Sequence, residues 1–331
     1  MPLISSNSIA SAGLDDEAAT SYADRICLTE LLAAQNTDGG WGYRAGGESR
    51  VEPSSWALLA LTEMAGAAGT EEAMARGLRF LESTQLADGS WPAAAGQVAG
   101  CWVTSLASLV MVARNGNSQS LARALAWLSA ERPGDSGFAW KLRSRLRAKR
   151  SVSSQNDFLY GWSWTRGTAS WVEPTSFAVI ALGAAPQKMQ PPSARERLQI
   201  AEAMLFDRMC PGGGWNCGNP MVYGVAGEPQ VGPTVWALLA LRNKAARPEV
   251  QKSLAWLESN LARVRTQGSL ALTQLAFRAL DHRTETFDAG VSRREFDSTG
   301  DSIPGVSEMA WSVLAASTNG PWSKLLQGGK S

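Results

Sequence analysis

The sequence predicts an all-α protein, a single (α/α)6 toroid of inner and outer helices. The first observation is a repeated phrase, in which a Trp-rich loop leads through Glu-Pro-Ser or Glu-Pro-Thr into a short apolar helix. It occurs at 41–66 and again at 161–184, and a looser version spans 214–243. Internal repetition of this kind is typical of repeat architectures. The second observation is that the repeated helices are apolar on nearly every face, so they must be buried on all sides.

Taken in order, the chain alternates two kinds of helix. Residues 1–15 are expected as a loose leader, and 16–331 as the toroid, which begins with a helix at about 16–35. Later outer helices, each with charged residues on one face, are expected at 71–84, 119–131, 194–209 and 248–264. The inner helices align at 54–61, 104–111, 175–182, 234–241, 273–280 and 309–316. A single open row would leave these helices half exposed to water, and this favours a closed double layer.

The composition limits the classes of function. The chain of 331 residues carries 31 Lys and Arg against 30 Asp and Glu, so its net charge does not indicate a nucleic-acid partner. Its four cysteines lack the spacing of zinc or redox motifs and are expected as reduced thiols. No signal peptide or membrane-spanning stretch is evident, and this predicts a cytoplasmic protein.

An insertion at about 133–156 interrupts the repeats and carries a basic strip. Its six basic residues are Lys141, Arg143, Arg145, Arg147, Lys149 and Arg150. Because it lies in an outer-to-inner connection, on the expected cavity side, this strip could contact a diphosphate or an anionic membrane surface. A solvated basic loop is the alternative.

One repeat carries a family resemblance. Residues 76–91, RGLRFLESTQLADGSW, resemble the Gln-Trp repeat of squalene cyclases and related terpene cyclases. Further copies lie at 35–41 and 155–162, and the resemblance extends over about 16–318. It implies the toroid that class II terpene cyclases share with the β subunits of protein prenyltransferases. In such repeats the Gln amide caps a neighbouring helix end and the Trp covers it, so Trp41, Trp91 and Trp215 are expected to staple helices.

The resemblance also indicates where an acid would lie. In class II cyclases the proton-donating acid lies at the start of an inner helix, in an Asp-x-Asp-Asp-Thr-Ala run. Alignment on that run places Glu173 at the proton-donating position, with Glu52 at the same place in the first unit. The sequence departs from the family because Trp171 and Pro174 replace the supporting acids, and no Asp-x-Asp-Asp occurs. The helix dipole would favour a charged Glu173, whereas burial among indoles would favour a neutral one.

Both acids also have a structural interpretation. A carboxylate at a helix start can simply accept hydrogen bonds from backbone N–H groups, or pair with an arginine such as Arg50 or Arg166.

Aromatic residues on the expected cavity side favour a hydrophobic ligand. Indole faces attract carbocations by about 0.5–2 kcal/mol each. The candidate substrate-contacting residues lie in loops or at helix starts, and they are Trp41, Trp102, Thr104, Trp162, Trp164, Trp171 and Thr175. Trp56, Trp236 and Trp311 fall within helices and are expected to pack. An apolar, Trp-lined pocket would equally suit a non-catalytic isoprenoid- or lipid-binding protein or a partner subunit.

No metal site is expected. A protein prenyltransferase β-like subunit would need Asp, Cys and His ligands for zinc, but His282, the one histidine, follows an inner helix, and Cys217 has no partner acid in register. The acidic run 15–17 lacks the last acid of a diphosphate–magnesium motif, and Mg²⁺ would be needed only for a diphosphate substrate. The sequence therefore predicts a class II-like terpene cyclase, of the isomerase or lyase class, with Glu173 as acid assisted by Glu52.

Overall fold

The computed structural model of the chain describes residues 27–114, 116, 118–137, 142, 155–264, 266–282 and 304–327. The leader, the acidic run 15–17 and the basic residues of 141–150 lie outside these ranges. In chain order the α-helices are α1 (Leu28–Ala33), α2 (Val51–Glu63), α3 (Thr70–Thr84), α4 (Val103–Ala113), α5 (Gln119–Ala130), α6 (Val172–Ala184), α7 (Ala194–Asp207), α8 (Val231–Ala240), α9 (Pro248–Ser259), α10 (Gln267–Ala279), α11 (Val306–Ala316) and α12 (Pro321–Gln327). A short antiparallel hairpin pairs β1 (Met221–Val222) with β2 (Val225–Ala226).

Six helices form a closed inner ring. Each of these helices contacts the next in the order α2, α4, α6, α8, α10 and α11, and α11 contacts α2. These helices are buried along nearly their whole length, as their uniformly apolar sequences require; α2 buries every residue from Pro53 to Thr62. The ring confirms the predicted (α/α)6 toroid.

The outer layer follows from amphipathic sequence. Helices α1, α3, α5, α7 and α9 pack outside the ring. Helix α3 shows why: it turns Met74, Phe80 and Leu81 inward and leaves Glu71 and Glu72 exposed. The last of these helices is shorter than expected, because α9 ends at Ser259 and a separate turn follows at Leu261–Arg263.

The Trp loops staple the two layers together in four copies. In each, the Trp backbone N–H donates to a Ser or Thr hydroxyl at the start of an inner helix, at 2.8–2.9 Å. The indole Nε1 then donates to a carbonyl oxygen of an outer helix, at 2.6–3.1 Å. The four pairs are Trp41 with Ser54, Trp91 with Thr104, Trp162 with Thr175, and Trp215 with Thr234.

The repeat glutamines join neighbouring outer helices, as the resemblance implies. Gln35 donates to the carbonyl oxygen of Ala73 at 2.8 Å, and Gln85 donates to that of Ser120 at 3.0 Å. The third copy departs from the pattern, because Gln155 donates to Asn219 instead.

Helix α12 was not predicted and covers one end of the ring. Glu63, at the end of α2, accepts from the backbone N–H of Trp322 at 2.5 Å. Arg242, just after α8, donates to the carbonyl oxygen of Leu326 at 2.9 Å. Trp322 is fully buried, and its ring lies 6.3 Å from that of Trp56. The inner helices therefore have their carboxyl ends covered, and a ligand would approach from their amino ends. None of the helices within the described ranges is long and apolar enough to cross a membrane.

Candidate functional site

Aromatic rings from four inner helices meet inside the toroid. Trp56 of α2 lies 5.2 Å from Trp236 of α8 and 5.9 Å from Trp311 of α11, between ring centroids. Phe177 of α6 lies 4.8 Å from Trp236. We call these four residues the aromatic floor. The sequence prediction that Trp56, Trp236 and Trp311 pack is confirmed, and the structure adds that they pack against one another across the ring.

One turn above the floor lies a second set of residues, which we call the rim. Each rim residue precedes a floor residue by four positions, so the two share a helix face. Side chains in a helix also tilt towards its amino end, which directs the rim away from α12. The rim consists of Glu52, Glu173, Gly232 and Ser307, and all four are half-buried. The two predicted acids therefore face the interior of the ring above an aromatic surface.

Glu173 is the acid of the rim that has no hydrogen-bond donor among the described residues. This contrasts with the structural alternative of backbone or arginine partners. Burial, and next the charge of Glu52, raise the pKa of Glu173 from 4.5 to about 7. Burial thus favours the neutral form, and a substantial fraction of the molecules carry a neutral carboxylic acid here near pH 7.

Glu52 has a specific partner. The phenol of Tyr43 donates a hydrogen bond of 2.6 Å to its Oε2. Burial raises the pKa of Glu52, and this hydrogen bond opposes the rise. The backbone N–H of Val306 donates to the carbonyl oxygen of Tyr43 at 3.0 Å, which ties the Tyr43 loop to the start of α11. Arg50 pairs with Glu48 at 2.8 Å rather than with Glu52. The two acids differ, since Glu52 is held by a donor and Glu173 is not.

Two indoles extend the aromatic surface beside the acids. Trp102, at the start of α4, stacks on Phe177 with 5.4 Å between ring centroids. Trp164 meets Trp102 edge to face at 4.8 Å. The aligned position in α4 thus carries an indole where α2 and α6 carry acids.

The other predicted contact residues lie elsewhere. Trp41, Trp162, Thr104 and Thr175 are the buried members of the staples described above, with their polar atoms bonded to the protein. We therefore assign these four to the fold rather than to a substrate. Trp171 borders a separate cavity with Cys217.

Some residues of the site escaped the sequence prediction. Tyr43, Phe177, Gly232 and Ser307 were not among the candidates, although the inner-helix alignment brings aromatic residues to one register in four of the six units. Ser307 Oγ and Trp311 Nε1 are buried without a hydrogen-bond partner. A Cβ atom added to Gly232 would contact only the Oε1 of Glu173, at 3.6 Å, so Gly232 leaves space beside that acid.

The described residues offer no group of three His, Cys, Asp or Glu side chains placed to hold a metal ion. His282 Nε2 lies 3.2 Å from Glu258 Oε2. Cys27, Cys101, Cys210 and Cys217 are free thiols.

Comparison with known proteins identifies relatives by fold. No protein-family model matches the chain, and no curated protein matches it either. Among solved structures, a type II terpene cyclase variant from Scytonema, in complex with its product merosterolic acid A, matches with a TM-score of 0.60 at 14% identity, over 92% of this chain and 97% of that chain. A GH8 xylanase catalytic mutant from Teredinibacter turnerae, in complex with xylohexaose, matches with a TM-score of 0.59 at 12% identity, over 97% and 96%. At these identities the likeness establishes the shared toroid fold.

Proposed function

We propose that the protein is a class II-like terpene cyclase that starts its reaction by protonating an isoprenoid with Glu173. The observation that supports this most directly is the environment of Glu173. It is a half-buried carboxyl group, without a hydrogen-bond donor among the described residues, whose pKa is about 7 and which lies one turn above an aromatic floor. The type II terpene cyclase with the same fold is in complex with its product, merosterolic acid A, and this supports a terpene-like ligand in the ring.

In the proposed step the acid proton of Glu173 moves to one carbon of a terminal alkene. A C–H bond forms as the π bond breaks, and a tertiary carbocation and the Glu173 carboxylate remain. The faces of Trp102 and Phe177 attract the cation by about 0.5–2 kcal/mol each. Glu52, whose anion the hydrogen bond from Tyr43 stabilises, then accepts a proton from the cyclised cation. That loss restores an alkene, so the overall reaction is an isomerisation.

The acid strength limits the substrate. A pKa of about 7 leaves Glu173 partly protonated at neutral pH, but it also makes Glu173 a weaker acid than an ordinary carboxyl group. The supporting acids of the family motif are replaced by Trp171 and Pro174. A group that is more basic than an alkene, such as an epoxide oxygen, should therefore react faster than a plain hydrocarbon.

The test is incubation with polyprenyl diphosphates, squalene and epoxysqualene, followed by mass spectrometry of the extracted products. A cyclic product that forms with the wild type, and is lost in Glu173→Gln but kept in the exposed control Glu71→Gln, supports the proposal. The rate should fall as pH rises through about 7, because only the protonated acid can react.

Two results would contradict catalysis of this kind. Saturable isoprenoid binding without turnover across the panel would instead favour the alternative of a non-catalytic isoprenoid- or lipid-binding protein or partner subunit. Release of reducing sugar from xylan that depends on Glu173 would favour a glycosidase on the same fold. Peripheral membrane contact through 141–150, a protein partner and a cytoplasmic location stay predictions from the sequence.

A further inference from the structure

A second cavity lies away from the rim and the floor. It occupies about 180 Å³ between the loop that precedes α6 and the loop that precedes the β-hairpin. Its wall includes Asp135, Asp157, Leu159, Trp171, Arg208 and Gly218. None of the floor or rim residues lines it. It is therefore a separate place where a ligand could be bound.

Arg208 supplies the donors of this cavity. The residue is only 4% exposed, directly after α7. Among the hydrogen bonds of the described residues, its guanidinium makes one, from Nη1 to the carboxylate of Asp207. The guanidinium has five N–H donors in a rigid fork, so Nε and Nη2 are left to bind an acceptor. Burial lowers the pKa of Arg208, and the nearby carboxylates oppose this and keep it charged.

The acceptors are carboxylates held in place by the loop. Asp135 accepts from the backbone N–H of Ser170 at 3.0 Å and from its hydroxyl at 2.9 Å. Asp157 also lines the cavity, and Asp207 pairs with Arg208. Three carboxylates around one guanidinium disfavour an anion such as phosphate, because the surrounding charge is negative in sum. A bare cation would be attracted by these carboxylates, but it has no acceptor to offer the guanidinium donors in the wall.

This combination of donors and acceptors favours a neutral ligand that both donates and accepts. A hydroxyl group does so, since it has one O–H donor and two acceptor lone pairs. Leu159 and Trp171 add an apolar part to the wall, which suits the C–H face of a sugar or polyol. A cavity of about 150 Å³ holds a benzene molecule, so this one suits a ligand of roughly six to eight heavy atoms.

We propose that this cavity binds a small neutral polyol, or the hydroxyl-bearing end of a longer ligand, through Arg208, Asp135 and the face of Trp171. The site is independent of the proposed acid chemistry. Trp171 lies two residues before Glu173, and the N–H of Val172 donates to the carbonyl oxygen of Cys217 at 3.2 Å. Occupancy would therefore stiffen the start of the helix that carries the acid.

The test is calorimetric or saturation-transfer NMR titration of the whole protein with erythritol, glycerol and xylose, beside inorganic phosphate and methylammonium. Saturable millimolar binding of a polyol is expected, with about tenfold loss in Arg208→Lys, which keeps the charge but not the fork. Trp171→Leu should weaken binding similarly. The exposed controls Arg247→Lys and Tyr223→Leu should bind as the wild type does.

Thermal unfolding of each variant shows whether it is folded, and the two wall variants test the site independently. Binding of phosphate or methylammonium in preference to every polyol would overturn the ligand class. The absence of saturable binding by any probe, or polyol binding unchanged in both wall variants, would overturn the site. Neither result depends on whether Glu173 catalyses a cyclisation.

Discussion

The Glu173→Gln variant should be more stable than the wild type at alkaline pH, and this advantage should be smaller at acidic pH. The pKa of Glu173 is about 7 in the folded protein against an ordinary 4.5. Between these two values the folded state holds more protons than the unfolded state, so stability falls as pH rises. The destabilisation is absent below pH 4.5 and complete above pH 7, where it amounts to about 3 kcal/mol. Because Gln carries no charge at any pH, the variant does not lose this stability.

Chemical denaturation of Glu173→Gln and wild type at pH 5 and pH 8 measures this effect. The variant's advantage should be about 2 kcal/mol larger at pH 8 than at pH 5, after allowance for the partial exposure of the site. Glu71→Gln, an exposed acid in the first turn of α3, is the matched control and should show no such difference. An equal advantage at both pH values would refute the burial of Glu173 beside Glu52 and remove the main support for its role as an acid.

Three further predictions use the same preparations. Glu52→Gln removes a charge that raises the pKa of the other rim carboxyl, so an NMR titration should find that pKa lower; an unchanged value would show that the acids are not coupled. Trp41→Phe loses a 2.7 Å indole hydrogen bond to α1 and should destabilise by about 1–3 kcal/mol, whereas Trp311→Phe removes a donor without a partner, loses no hydrogen bond and should cost less. Gly77→Ala would place a Cβ atom 2.7 Å from the Trp41 ring and should cost about 1–3 kcal/mol, while Gly183→Ala, with open space around it, should be neutral or stabilising in urea unfolding.

The toroid could be predicted because its layers are encoded locally. A helix that is apolar all round, such as α6, has no stable place except between other helices, and α3 is amphipathic, as an outer layer requires. The staples at Trp41, Trp91 and Trp215 could be predicted for a similar reason, since each joins a loop Trp to the helix that follows it within 13 or 19 residues. The fourth staple was missed, because Trp162 was expected to contact a substrate. Such short-range devices are visible in the order of residues.

The aromatic floor could not be predicted, because it forms only when distant helices meet in the closed toroid. Trp56 and Trp236 are 180 positions apart, and nothing in either segment shows that their rings stack at 5.2 Å. Helix α12 escaped prediction because it lies after the last repeat and copies none of them. The sequence did not predict the pKa of Glu173, because the helix dipole and burial act on it in opposite directions. Only the environment in the folded protein determines which effect is larger.

The aromatic floor favours an apolar ligand over a polyhydroxylated one at the rim. A polyhydroxylated substrate at the rim would need a hydrogen-bond partner for each hydroxyl group it buries, because an unsatisfied one costs about 1–3 kcal/mol. The rim offers only the Ser307 hydroxyl and the two carboxyl groups, and the floor beneath presents ring carbons apart from the indole N–H groups of its three tryptophans. An isoprenoid chain has no such requirement, and it gains from contact with the rings. The polar cavity at Arg208 has the opposite character. The two places in the fold therefore suit chemically distinct ligands, and binding at one should not compete with binding at the other.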